Sequence, residues 1–210
     1  MNLLATSQSI GFLTASLLIT MTPGPDNLLV LSLGASRGRR QGMVFGWGCA
    51  MGCLSHTVLA ALGISALVAA SPWAFAALKV AGGAYLMYLG WQVLRHAGQS
   101  AAQLGSGLPE SLSRLFAKGL VANAVNPKVV LFFLAFLPQF VDTARGDTPW
   151  QIVQLGVIFT LQAALLFGVL GYFAGSIGQW LGRHGNAGLW LDRVAGTVFV
   201  VLGLKLIAGR

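Results

Sequence analysis

Charge is scarce in this sequence. Only 9% of its 210 residues are Asp, Glu, Lys or Arg, and Asp and Glu together number 5. Soluble domains carry about 25% charged residues, so a soluble fold is a poor fit. Cysteine is scarce too. Cys49 and Cys53 are the two that occur, four apart inside an apolar run, which is not the framework of a disulfide-stapled secreted protein. There is no P-loop, nucleophile elbow, His-Glu metal signature or dinucleotide fingerprint, so neither ATP coupling nor a bound cofactor is expected. No nucleophile–base pair supports a membrane-embedded enzyme. The start, Met1-Asn2-Leu3-Leu4, lacks the basic region of a signal peptide, and the first apolar run therefore reads as a retained helix.

Apolar residues are abundant, at 56% of the chain with a mean hydropathy of +0.75. A membrane span needs ~20 mostly apolar residues, and six such runs nearly exhaust the sequence. The first covers about 8 to 36 and the second 42 to 70. The third starts at Ser71-Pro72-Trp73 and ends near Leu94. The fourth follows Arg114 and Lys118 and runs to about Val141. The fifth starts at Thr148-Pro149-Trp150 and ends near Gly182, and the sixth runs from about Leu189 to Ile207. At both Pro-Trp starts the hydroxyl residue is expected to cap, the proline to take the first helical position and the tryptophan to favour the interface. The expected fold is an all-α polytopic membrane protein, one transmembrane domain over residues 1–210, with a linker-like loop at 98–113.

The net charge of +8 would suggest nucleic acid in a soluble protein. Here the basic residues lie in the connections and act as topology signals rather than as a nucleic-acid surface. Arg37, Arg39, Arg40, Arg95, Arg114, Lys118, Arg183 and Arg193 fall on one side. The other side holds the 71–72 turn and the 142–147 loop, whose one basic residue is Arg145. The positive-inside rule puts the first side in the cytoplasm and both termini outside, although Lys205 and Arg210 run against this. No feature fixes an oligomeric state.

Two interruptions organise the chain. Thr22-Pro23-Gly24-Pro25-Asp26-Asn27 sits inside the first run, and Asn126-Pro127-Lys128 inside the fourth. Proline lacks an N–H and clashes with the preceding turn, so each stretch must break its helix. Unwound backbone in a membrane is tolerated where protein or a wet cavity satisfies its polar groups. Gly24 or Thr22 is expected to cap the following half-helix, with Pro25 first and Asp26 and Asn27 in its first turn. The N–H groups of that turn suit a substrate carboxylate. Asp26 suits a substrate ammonium or a transferable proton, or else simply caps a kinked helix. In the second break Asn126 caps, Pro127 fits the first helical position and Asn123 lies one turn earlier. Lys128 is an intramembrane cation without an acidic neighbour in its own run. It is expected near Asp26, unless it snorkels to an interface.

Cys49, Cys53 and His56 share one helix face at i, i+4 and i+7. Thiolates and imidazole bind soft metals, but three ligands on one straight helix cannot surround an ion. Cysteine in such a helix is more simply a packing residue. His56 suits a cavity wall, a proton relay or an interhelical bond. The halves also resemble each other: 83–90 (GAYLMYLG) aligns with 196–203 (GTVFVVLG), and the breaks fall in the first and fourth runs. Three spans per half imply a 3+3 inverted repeat over 1–97 and 114–210, a pattern that points to a transport site at the midplane.

These residues resemble a known family. Met21 to Asn27, reading MTPGPDN, is similar to the first-helix signature of the LysE/RhtB family of bacterial amino-acid exporters. Phe116 to Val141, FAKGLVANAVNPKVVLFFLAFLPQFV, resembles its fourth-helix signature, and KVAGGAYLMYLGWQVLR is similar as well. The resemblance implies an inner-membrane permease that exports amino acids or close derivatives, homoserine- or threonine-like, neutral or basic, in exchange for protons. Its signature positions carry over to Pro23, Gly24, Pro25, Asp26, Asn27, Asn126, Pro127 and Lys128. Related branches handle cadmium or thiol electrons, which keeps open a soft-metal or thiol-redox reading through Cys49, Cys53 and His56.

Overall fold

A computed structural model describes residues 4–70, 72–95, 110–183 and 185–208. Among the described residues the chain is helical, without strands. The first run is two half-helices, α1 (Thr6–Met21) and α2 (Pro25–Arg37). Then come α3 (Arg39–Ala70), α4 (Pro72–Arg95), α5 (Leu112–Ala124) and the short α6 (Pro127–Leu131). A π-helical turn (Phe132–Phe136) and 3₁₀ turns (Leu137–Phe140 and Thr143–Arg145) lead to α7 (Thr148–Arg183) and α8 (Gly185–Ala208).

Prolines set the interruptions. A residue before proline is driven out of the helical region. Thr22 (ψ 124°), Gly24 (ψ 179°) and Asn126 (ψ 109°) are accordingly extended. Pro138 has no N–H to return to the preceding turn, and the helix widens and then tightens around it.

Several boundaries shift from their sequence positions. Ser71, the expected cap of the third run, and most of the 98–113 linker lie outside the described residues. Residues 112 and 113 of that linker already belong to α5, whose cap Ser111 accepts from the Arg114 N–H. The fifth run is capped one residue early: the Asp147 carbonyl takes the first helical hydrogen bond, from Gln151 at 3.0 Å. The last helix opens at Gly185 rather than at Leu189.

Two helices among the described residues are long and apolar enough to cross a membrane, over Arg39–Gly63 and Thr148–Ile177. The pair Leu112–Ala124 and Lys128–Phe140, bent by 52°, makes a third if taken as one span. Among the described residues two of the six expected spans, or three with the bent pair, are thus shown. Breaks divide the first, whose halves have 16 and 13 residues.

The centre of the molecule is α3 packed against α7 and α5, with α2 wedged beside α7 and α3, and α4 paired with α8. Small residues permit these approaches. A Cβ on Gly83 would come 2.7 Å from the Gly203 carbonyl, and one on Gly90 2.6 Å from the Gly196 carbonyl. At Gly52 a Cβ would meet the Asn123 side chain at 2.8 Å, so this glycine lets α5 bring Asn123 inward. Gln8 of α1 bonds the Phe140 carbonyl, and Gln151 bonds Asp142, so α1 starts beside the 140–151 segment. At the other end Glu110 bridges Arg37 and Lys118 at 3.1 and 2.5 Å.

Candidate functional site

The two breaks meet in the interior. Gly24 occupies the N-cap of α2 and offers no side chain, so nothing caps the first turn. The Thr22 hydroxyl turns back to the Leu18 carbonyl at 2.6 Å. Asp26 and Asn27 are both buried, 1% and 5% exposed. Asp26 does not cap its own helix. Its Oδ2 accepts a hydrogen bond from Asn123 Nδ2 of α5 at 2.8 Å, and its Oδ1 has no protein partner.

The second break is held differently. Asn126 caps α6 through Oδ1, which accepts from the Lys128 N–H at 3.1 Å. Pro127 follows as the first residue of α6. Lys128, 4% exposed, reaches across to the first break. Its Nζ donates to the carbonyls of Ile19 and Thr22 at 3.2 and 3.0 Å, and lies 5.8 Å from the Phe199 ring centroid. These carbonyls belong to the C-terminal end of α1, where a helix carries partial negative charge. A Cβ on Gly24 would sit 2.8 Å from Nζ, so a side chain there would displace the lysine tip.

Asp26 and Lys128 therefore lie near each other, as expected from the sequence, without forming a direct ion pair. The amide of Asn123 engages the carboxylate, and the unpaired carbonyls of α1 engage the ammonium. Both charged groups line a single cavity with Thr20, Cys53 and Asn123 on its polar side and Phe132, Phe159 and Phe167 on its apolar side. It leaves about 10 Å³ for the centre of a water-sized molecule, enough for one water and too little for an amino acid. The rings of Phe12, Phe132, Phe133 and Phe159 pack at 5.0 to 6.5 Å centroid separation between this cavity and the Gln8 end.

His56 takes the interhelical bond among its sequence alternatives. Its Nε2 lies 3.1 Å from the Asn123 carbonyl, an acceptor, so Nε2 carries the proton. Cys53 is drawn into the site rather than into a separate face: its thiol donates to Asn123 Oδ1 at 3.5 Å. Cys49 and Cys53 are buried free thiols, and among the described residues no group of three or more His, Cys, Asp or Glu is arranged to hold a metal ion.

Sequence reasoning missed Thr20 and Gln162. Gln162 Nε2 donates to Thr20 Oγ1 at 2.9 Å, and Asn27 Nδ2 donates to the Thr20 carbonyl at 2.8 Å. The signal was present, since Gln162 is a primary amide in the middle of the apolar fifth run.

Facing broken helices with a buried carboxylate and ammonium place the chain in a class: helical membrane proteins whose broken helices meet around buried polar groups. The family model for LysE type translocators matches residues 17–210, and the chain belongs to that family. It is a translocator, not an enzyme. It is 33% identical over 195 residues to an uncharacterized membrane protein of Pseudomonas aeruginosa, covering 90% of this chain and 89% of that one. It is 31% identical over 194 residues to the threonine efflux protein of Escherichia coli K12, covering 90% and 92%. To the leucine efflux protein of Enterobacter sp. it is 25% identical over 195 residues, covering 93% and 92%. No solved structure matches.

Proposed function

We propose that this chain exports amino acids from the cytoplasm across the bacterial inner membrane, through the cavity between the two breaks. One observation carries the reading: a carboxylate and an ammonium, both buried and not paired with each other, line one small cavity. A zwitterion complements both. Lys128 and the uncapped first turn of α2 take its carboxylate, while Asp26 and Asn27 take its ammonium. Lys128 exchanges the α1 carbonyls for the substrate, which loosens the first break when cargo arrives. The relatives named for threonine and leucine efflux agree in cargo class.

The finer parts of the reading go together. Asp26 Oδ1, without a partner, is the atom that accepts an entering proton, so proton antiport drives outward release. The aromatic cluster stands between the cavity and the Gln8 end. The basic end near Arg37 faces the cytoplasm and both termini lie outside. The 3+3 inverted repeat is supported by reciprocal glycine contacts: Gly83 meets Gly203 while Gly90 meets Gly196, the exchange a two-fold axis requires of aligned positions.

The test loads cells expressing the chain with mixed dipeptides and follows single amino acids in cytoplasm and medium. Wild type is expected to expel one or a few of them. Asp26→Asn, inserted at the same level, is expected to expel none above background. Full export by Asp26→Asn removes this carboxylate from the mechanism.

A further inference from the structure

We propose that Gln162 of α7, with Asp26 and Asn27 of α2, forms the receptor for the substrate's ammonium group and thereby fixes the direction in which the zwitterion lies. This rests on the amino-acid export reading above and deepens it. Four buried oxygens have no partner among the described residues: Asp26 Oδ1, Asn27 Oδ1, Gln162 Oε1 and the hydroxyl of Thr160, and the first three can only accept. Gln162 is 7% exposed. Both primary amides are committed on their nitrogen side to the same residue. Asn27 Nδ2 donates to the Thr20 carbonyl, which can only accept, so its oxygen is fixed outward. Gln162 Nε2 donates to the Thr20 hydroxyl. Thr20 itself lines the cavity, as does Phe159, one turn before Gln162 on α7.

These three oxygens stand beside a cavity whose strongest donors, Asn123 Nδ2 and Lys128 Nζ, are already engaged by Asp26 Oδ2 and the α1 carbonyls. Leaving buried acceptors unmade is costly, and a group rich in donors relieves all of them together. An ammonium carries three N–H donors and no acceptor. Lys128 supplies the positive charge in the same cavity from α6, so the substrate carboxylate lies toward Lys128 and its ammonium toward α7. Gln162 is the part of this receptor carried by a continuous helix, and it therefore reads the amine wherever α2 moves.

The probes are L-threonine and L-leucine, each beside the 2-hydroxy acid that replaces its ammonium with hydroxyl. Proteoliposomes loaded with each report initial efflux as KM and kcat. Wild type is expected to move at least one amino acid and to prefer it over its hydroxy acid by about a hundredfold, the scale of several charge-assisted bonds. Gln162→Leu is expected to raise KM about tenfold with kcat nearly unchanged, and to narrow the preference by the same factor. Gln162→Glu keeps or widens the preference, because its oxygens still accept. An unchanged preference in Gln162→Leu overturns the receptor while export stands. If that variant does not insert, Gln162→Glu decides, and loss of preference there overturns it. If wild type moves neither amino acid, the export reading fails for these cargoes and the receptor falls with it.

Discussion

The two breaks use the same chemistry to opposite ends. The second is self-contained at its cap: a single residue, Val125, separates α5 from Asn126, whose Oδ1 bonds the first turn of α6 while its Nδ2 has no partner among the described residues. The first is left open. Three residues part α1 from α2, its cap is a glycine, and its acceptors Asp26 Oδ1 and Asn27 Oδ1 have no partner. Repair comes from the other break, through Lys128 onto the α1 carbonyls and Asn123 onto Asp26. A satisfied element can act as a scaffold. An unsatisfied one has unmet bonds to give a ligand. On the proposed function, the first break serves as the receptor and the second as its support.

Asp26→Asn, at the open break, should have the largest effect on export. Lys128→Ala comes next and should damage both breaks at once. It strips the α1 carbonyls of Ile19 and Thr22 of their donor, which costs about 2–3 kcal/mol for bonds to a charged group. Export should fall to background, and the thermal midpoint in detergent should drop. Lys128→Arg should recover much of the stability but not the export, because the planar guanidinium does not fit beside Gly24. Export retained by Lys128→Ala would erase the distinction between receptor and support.

Gly24→Ala sharpens the comparison further. Its Cβ meets only the tip of Lys128, which is flexible, so stability should change by less than about 1 kcal/mol. Lys128 must move to make room, and export should fall several-fold. Efflux rate and thermal midpoint together separate this from unfolding. Asn126→Ala, at the self-contained break, should do the reverse. Loss of the cap costs about 1 kcal/mol of stability while export at low temperature stays near wild type.

How much of this was legible beforehand differs between elements. Both breaks could be placed from Pro23, Pro25 and Pro127, because proline's missing N–H and fixed ring act locally whatever surrounds them. Family membership followed from the same residues. Partnerships were harder. Asp26 and Lys128 were expected together as the sole opposite charges deep in the runs, yet each found a neutral partner instead. A direct pair needs both desolvated charges in one optimal geometry, whereas Asn123 and the α1 carbonyls satisfy each separately. Cys53 was placed on one face with Cys49 and His56, but that spacing says nothing about α5, where Asn123 meets both Cys53 and His56. That placement depends on Gly52, whose missing side chain admits Asn123. Gln162 lacked a motif and gained meaning only from Thr20, 142 residues away.

The smallest expected effect lies far from either break, at the Arg37–Glu110–Lys118 cluster. It joins the end of α2 to α5, so it links the receptor's half-helix to its support at the basic end. The Glu110 carboxyl is held below the usual carboxylate range, first by the Lys118 hydrogen bond and then by Arg37, with partial loss of water opposing both. A carboxyl lowered on folding contributes stability above its unfolded value, and that contribution disappears as pH falls through the folded one. The cluster should therefore be intact at neutral pH and lost only in strong acid. Exposed pairs contribute little, and salt screens them. Glu110→Gln should leave the neutral-pH thermal midpoint almost unchanged, remove its dependence on salt, and flatten its decline below the ordinary carboxylate range. Export by Glu110→Gln should stay within about twofold of wild type, because neither break depends on this contact. A large loss of export would mean that α2 is positioned from its far end, and that the first break is less open than its unpaired oxygens indicate.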